Sequence, residues 1–117
     1  MITQVLLDAS GVHIADVEVA HRLGARMKGL LGRAGLGEGR ALFINPCPSI
    51  HTFGMKFALD LIFVDQDFYI VKIVWNVVPN RMVSGGRRAH AVFELGAGWL
   101  TRARLHAGET VTLQTQD

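Results

Sequence analysis

The strongest structural signal in the sequence is a pair of apolar runs that lie close together in the chain. The runs are LDLIFVD at 59–65 and YIVKIVWNV at 69–77, and only QDF separates them. Valine, isoleucine and aromatic residues favour strands, and so short a connection suits two antiparallel neighbours, since a parallel crossover needs a dozen or more residues. The pattern therefore predicts a β-hairpin.

A second hairpin is predicted near the N-terminus, where QVLLD and ADVEVA flank the turn-prone ASG. In ADVEVA, Asp16 and Glu18 alternate with Val17 and Val19, as they would in a strand with one buried face. Further strands are predicted within three segments, ALFINPCPSI at 41–50, HAVFEL at 90–95 and ETVTLQ at 109–114.

From His21 the apolar spacing changes to that of a helix, and the four glycines of GRAGLGEG at 32–39 end it. A single helical turn near Trp99 is a second candidate. The segment VPNRMVSGGRRA at 78–89 is polar and contains glycine, and it is predicted to be a long loop.

These elements predict six to eight strands and one short helix. The fold class is mainly β or α+β, with a mostly antiparallel curled sheet or barrel-like sandwich. At 117 residues the chain can form one core, so residues 1–117 are expected to be a single compact domain. The content of 50% hydrophobic and 19% charged residues is that of a globular protein rather than a disordered one.

Charge and cysteine usage exclude several functional classes. The net charge is only +2, and the one dense basic cluster, Arg87-Arg88, is too short to indicate nucleic-acid binding. The single cysteine excludes an intrachain disulfide and, with no visible export signal, favours the cytoplasm. The longest mainly apolar stretch, 57–64, is too short for a membrane span.

No cofactor or metal motif is recognised. Cys47 and His51 have the spacing of only half a structural zinc site, and no second nearby pair completes it. The glycine-rich GRAGLGEG follows a helix rather than opening one, and it lacks the lysine and hydroxyl pair of a phosphate-binding loop. We therefore expect no metal and no cofactor.

The segment IHTFGMKFALDLIFVD at 50–65 carries three polar residues among apolar ones: His51, Lys56 and Asp60. In an unbroken strand Lys56 and Asp60 would share a face but stand about 13 Å apart, too far to pair. Gly54 is a plausible bend between them. Because burial of a lone carboxylate is costly, Asp60 is expected to meet a cation or several backbone donors.

The predicted helix supplies candidate cations. On a helical wheel, Arg26 and Arg33 lie on the flank of its apolar stripe, from which they could reach over the rim of the core. We predict that one of these arginines contacts Asp60 or Glu94.

Five blocks in order resemble the DUF192 family of small prokaryotic proteins of undefined function. They are RMKGLLGR, IHTFGMKFALDLIFVD, YIVKIV, VFELGAG and GETVTL. The resemblance implies a compact, mainly β domain with a helix. Gly54 stands where a common form of the family motif has tryptophan. If that tryptophan forms part of a ligand-site wall in other members, this chain lacks the contribution. The family's recurring polar positions match Arg26, Arg33, Lys56, Asp60 and Glu94, and an Ile-His-Thr subgroup adds His51.

These six residues are the candidate ligand-binding residues. The leading hypothesis is a small non-catalytic binding or accessory domain with a polar pocket between the helix flank and the central strand. One alternative is a small hydrolase or transferase that uses His51 with Asp60 or Cys47, and another is a purely structural or interaction module. The expected partner is a small ligand, an anion or a protein, and an edge strand could mediate a homodimer.

Overall fold

The computed structural model describes residues 3–20, 36–102 and 104–116, and this part of the chain is built from strands. Nine strands are assigned in it. They are β1 (Thr3–Leu7), β2 (His13–Ala20), β3 (Arg40–Ile44), β4 (Ser49–His51), β5 (Leu59–Val64), β6 (Ile70–Val77), β7 (Met82–Ser84), β8 (Ala91–Gly96) and β9 (Thr112–Gln116). The prediction of a mainly β fold is confirmed, whereas the predicted short helix falls on residues outside the described part.

Both predicted hairpins are present, and an aspartate closes each turn. In the β1–β2 turn the Asp8 carboxylate accepts hydrogen bonds from the backbone amides of Ser10 and Val12, both at 2.9 Å. In the β5–β6 turn Asp65 accepts the amides two and four residues later, at 2.9 and 3.0 Å. Each side chain satisfies turn amides that the ladder leaves free, so the sequence fixes where the strands reverse.

Seven strands form one sheet in the order β6-β5-β8-β3-β2-β1-β9. The neighbours are antiparallel except for β2 and β3, which are parallel. The sheet is curled so that its two edges come close together. Two contacts show this: Tyr69 and Thr110 form an isolated bridge, and the Ile70 amide donates to the Glu109 carbonyl at 2.8 Å. The predicted curled sheet is confirmed, and its edge strands are β6 and β9.

The two faces of the sheet carry separate apolar clusters. One cluster contains the stacked rings of Phe43 and Phe93, with centroids 4.4 Å apart, and Phe68 packs against both. The other lies beneath a two-stranded ribbon formed by β4 and β7, whose inward residues Ile50 and Val83 pack on it. The central strands β5 and β8 are therefore buried on both sides, which explains their continuous apolar sequence.

Two local predictions need correction. The described part holds nine strands rather than six to eight, because β7 lies inside the predicted loop at 78–89. A three-residue strand is too short to show the alternation that identifies strands in a sequence. Residues 97–100 near Trp99 form turns and bends rather than a helical turn. By contrast, the predicted bend within 50–65 is present, since residues 52–58 separate β4 from β5 and include Gly54, which has a φ of 80°.

Within the described residues, no helix combines the length and the apolar character needed to cross a membrane.

Candidate functional site

Asp60 is a buried carboxylate, 2% exposed, at the second position of β5. The pairing of β5 with β6 is irregular between Leu59 and Leu61, and Asn76 opposite has a φ of 55°. One Asp60 oxygen accepts the Asn76 amide at 2.8 Å, and the other accepts the Gly98 amide at 3.1 Å. Backbone amides thus bind both oxygens. These hydrogen bonds offset the cost of burying the Asp60 carboxylate.

Glu94 is fully buried in the middle of β8, on the other face of the same sheet. It is paired directly with Leu61, whereas Asp60 is paired with Leu95. Directly paired residues of antiparallel strands project to the same face, and successive residues project to opposite faces. The two candidate carboxylates consequently cannot line a single pocket. The predicted arginine partners, Arg26 and Arg33, lie outside the described residues.

The other two described candidates, His51 and Lys56, lie outside the strand that carries Asp60. His51 belongs to the ribbon, where its ring stacks on Phe53 with centroids 5.3 Å apart. Within the described part of the chain, the His51 Nδ1 atom is buried without a hydrogen-bond partner. Lys56 is exposed in the segment between β4 and β5. The four candidate residues that the structure describes are therefore spread over the ribbon, the segment that follows it and two sheet faces.

The catalytic alternative requires His51 to pair with Cys47 or Asp60. The Cys47 thiol donates to the Ser49 carbonyl at 3.1 Å, and the Asp60 oxygens are bound by amides. No hydrogen bond between described residues joins His51 to either of them. Likewise, the described residues contain no group of three or more histidine, cysteine or acidic side chains arranged to hold a metal ion.

A cleft of about 620 Å³ lies where β5 begins and where β6 and β8 end. The described residues that line it are Leu36, Gly37, Glu38, Phe57, Ala58, Asn76, Gly96, Ala97, Gly98 and Trp99. Asn76 and Gly98 are the two residues whose amides bind Asp60. That carboxylate therefore lies behind the cleft and fixes two parts of its wall.

The Trp99 ring is seated over the backbone of Gly39. A Cβ atom on Gly39 would lie 3.6 Å from Trp99 Cζ2, and Gly39 has a φ of 72°. The Trp99 amide donates to the Gly96 carbonyl at 3.3 Å, and the Ala97 amide donates to the Ala58 carbonyl at 3.1 Å. Glycine-rich turns from two distant parts of the chain thus meet around this indole.

Sequence reasoning missed Glu38, Phe57 and Trp99 as site residues. The available signal is the pair of glycine-rich segments at 35–39 and 96–98, of which the first predicts only a helix stop and a connection and the second only a link between two strands. Neither segment indicates a cleft on its own, because the two are brought together by the pairing of β8 with β3 and β5.

Comparison with known proteins places the chain among proteins of undefined activity. The sequence profile of the DUF192 family, described as Uncharacterized ACR, matches residues 5–113. A crystal structure of a protein of unknown function from Novosphingobium aromaticivorans DSM 12444 is 25% identical with a TM-score of 0.78, covering 94% of this chain and 83% of that one. No curated protein matches the sequence.

A second crystal structure is of a protein from Sinorhizobium meliloti 1021 described as a "putative transcription regulator". It is 24% identical with a TM-score of 0.78, and the match covers 97% of this chain and 94% of that one. At this identity the likeness shows a shared fold alone.

Proposed function

Because the chain belongs to the DUF192 family, which is described as uncharacterized, we propose its function from the geometry of the cleft. The protein is a small binding domain that holds a ligand at the end of its central sheet without transforming it. The cleft volume of about 620 Å³ falls within the range of roughly 300–1,000 Å³ that small-molecule sites occupy.

Aromatic side chains give the ligand its apolar contact surface. Trp99 is partly exposed, and Phe57 is half-buried beside it in the lining. Indole and phenyl rings favour the flat faces of other rings and bury a large apolar area with little loss of side-chain freedom. The cleft therefore suits a ligand with a planar or apolar body.

Polar selectivity comes from Glu38. It is the charged residue among the described lining residues, and its side chain is exposed to solvent at the mouth of the cleft. A carboxylate accepts hydrogen bonds and attracts positive charge. Asn76 adds an amide that can donate or accept. The ligand class that fits best is an aromatic or apolar amine.

The observation that carries the proposal is the double hydrogen bond of Asp60 to the amides of Asn76 and Gly98. A buried carboxylate is a costly way to hold the end of a strand and a turn together, and here Asn76 of β6 and Gly98 of the turn after β8 line the same cleft. Binding sites gain affinity when their walls are held rigid before the ligand arrives. Asp60 is therefore a positioning residue for the cleft.

The proposal is tested with two probes of similar shape and opposite charge, phenethylamine and phenylacetate. Trp75 is replaced by phenylalanine so that Trp99 alone reports by fluorescence. We expect phenethylamine to quench Trp99 in a saturable manner and phenylacetate to have little effect. Glu38→Gln should weaken the binding of phenethylamine by up to about fivefold, as expected for the loss of an exposed ion pair.

The matched control is Glu18→Gln, which removes an exposed carboxylate from β2 outside the cleft. It should leave the amine titration unchanged. Equal quenching by the two probes, or an equal loss in both glutamate variants, would contradict the proposed site.

A further inference from the structure

The outer surface of the β4–β7 ribbon is a second feature that the cleft does not explain. In this ribbon Ile50 pairs with Val83 and points into the core, while His51 pairs with Met82 and points outward. Side chains alternate along a strand, so one face of the ribbon is free of the core. We call the outward residues His51 and Met82, together with the exposed Phe53 and Val78 in the segments that adjoin the two strands, the ribbon face.

The ribbon face is unusually apolar for an exposed surface. Met82 is 78% exposed, Phe53 47% and Val78 38%, and these are half of the six large hydrophobic residues that are exposed in the described part of the chain. A groove of about 450 Å³ at the ribbon is lined by residues 49–51 and 82–84. Clustered apolar exposure of this kind marks an interaction surface rather than ordinary scatter.

Charges around the ribbon face are positive. Residues 45–58 and 78–90, which form and flank the ribbon, contain four lysine and arginine residues and no aspartate or glutamate. Arg87 and Arg88 share a separate cleft with acidic side chains, so their charge is partly offset there. Lys56 and Arg81 are exposed beside the ribbon face. A complementary partner must therefore be acidic.

Lys72 extends this positive border from the main sheet. Its ammonium donates to the Ser84 carbonyl at 2.9 Å and remains exposed at the end of β7. Together with the lysine and arginine beside the ribbon, it puts cations around an apolar groove. Electrostatic complementarity of this kind steers and orients a partner, while apolar contact supplies most of the affinity.

Thr52 holds the ribbon face in one conformation. Its hydroxyl donates to the Val78 carbonyl at 2.8 Å and accepts the Arg81 amide at 2.9 Å. Its own amide donates to the Arg81 carbonyl at 2.8 Å, and its carbonyl accepts the Asn80 amide at 3.1 Å. One fully buried residue thus fixes the loop that carries Val78 and Arg81, so the surface is formed before a partner binds.

From this arrangement we infer that the ribbon face docks an acidic segment of a partner protein, which packs an apolar side chain into the groove that His51 and Met82 line. The groove is also lined by the exposed Ser49 and Ser84, whose hydroxyl groups suit a peptide that can form hydrogen bonds better than the acyl chains of a bilayer. The few dispersed cations lack the continuous basic stripe of a nucleic-acid footprint. An acidic peptide with an apolar anchor meets both the charge and the shape.

The test uses a fluorescein-labelled, glutamate-rich peptide with a single central leucine and the full-length protein, with binding followed by anisotropy. We expect saturable binding that weakens when the leucine is replaced by serine, and no binding when the glutamates are replaced by lysines. Met82→Ser should weaken binding by about tenfold, and Arg81→Glu by a similar factor.

Matched control variants separate the ribbon face from general effects. Val12→Ser alters an apolar residue that is 50% exposed in the β1–β2 turn, and Arg40→Glu reverses an exposed charge at the start of β3. Both should bind the peptide as the wild type does. Because Met82 and Arg81 are exposed, their variants should keep the wild-type melting temperature, which distinguishes lost binding from lost folding.

Several outcomes would overturn the inference. Absent binding of the glutamate-leucine peptide would do so, as would an equal loss in the control variants. Tighter binding to a random-sequence DNA duplex, or to vesicles containing phosphatidylserine, would assign the positive border to those partners instead. Equal affinity for the leucine and serine peptides would show that charge alone drives binding to the ribbon face.

Discussion

The Asp60 carboxylate lies 2.8 Å from the backbone amide of Asn76, at the point where the ladder between β5 and β6 is irregular. An amide released from a ladder must find another acceptor when it is buried. The second Asp60 oxygen serves the Gly98 amide in the turn after β8 in the same way. A single side chain thus joins three strands and shapes the end of the sheet where the cleft lies.

Replacement of Asp60 by asparagine should therefore destabilise the fold. The variant keeps one oxygen, but its amide group faces a backbone N–H and leaves that donor unsatisfied. We expect a loss of about 2–3 kcal/mol in the free energy of unfolding, measured with urea. Asp67→Asn, an exposed site in the β5–β6 turn, should change it by less than about 0.5 kcal/mol. Similar values for the two variants would refute the structural role of Asp60.

Thr52→Val should destabilise the loop at 78–81. The substitution preserves the shape of the side chain but removes the hydroxyl that binds Val78 and Arg81, so it leaves the Val78 carbonyl and the Arg81 amide without this partly buried partner. The expected loss in unfolding free energy is about 1–3 kcal/mol. Thr101→Val, at an exposed position, is the control and should be nearly neutral. A wild-type stability for the Thr52 variant would mean that water replaces the hydroxyl.

The strands that sequence patterns identified have one property in common: the residues that predict each strand are close to it in the sequence. Each hairpin has strand-forming runs on both sides of a short turn, and Asp8 and Asp65 bind the amides of their own turns. Gly54 was also identifiable as a break, because glycine within an apolar run marks a place where the chain bends. The two hairpins contain four strands, and β8 and β9 are two more. These six strands could therefore be predicted from neighbouring residues alone.

The candidate site was harder to predict because its contacts are remote and use the backbone. Asp60 was expected to need a cation or backbone donors, but the donors proved to be amides, which have no signature in the side-chain sequence. The opposite orientations of Asp60 and Glu94 follow from the register of β5 with β8, which no local pattern fixes. The cleft residues Glu38 and Trp99 become neighbours only when the pairing of β3 with β8 brings two glycine-rich turns together.

Gly85 and Gly96 provide a test of close packing that involves no polar group. A Cβ atom on Gly85 would lie 2.5 Å from the Ala89 Cβ and 2.6 Å from the Phe63 Cγ, whereas one on Gly96 would meet nothing within 4 Å. Gly85→Ala should lower the free energy of unfolding by about 1–3 kcal/mol because the core must shift to admit it.

Gly96→Ala is the matched control and should be neutral or slightly stabilising, since alanine restricts the unfolded chain. Equal destabilisation by the two alanines would mean that glycine flexibility, rather than packing, matters at position 85.

The acid limb of the stability profile should depend on Asp8. Hydrogen bonds from the Val12 amide and from the Arg104 side chain, the latter at 2.9 Å, lower the pKa of the Asp8 carboxyl below its usual value of 3.8. The group is therefore deprotonated in the folded state at pH values where the unfolded chain begins to bind a proton. Its stabilising contribution is complete above pH 3.8 and is lost as the pH falls through the lower folded-state pKa.

We accordingly expect Asp8→Asn to be less stable than the wild type at neutral pH, with a difference that shrinks as the pH falls toward about 2. Urea unfolding across this pH range measures the difference. Arg104→Gln is the companion variant, because loss of the guanidinium should raise the pKa of Asp8, as followed by NMR of its carboxyl carbon. Two results would show that the ion pair does not set the acid limb. One is a difference in unfolding free energy between Asp8→Asn and wild type that stays constant with pH. The other is a pKa of Asp8 that is unchanged in Arg104→Gln.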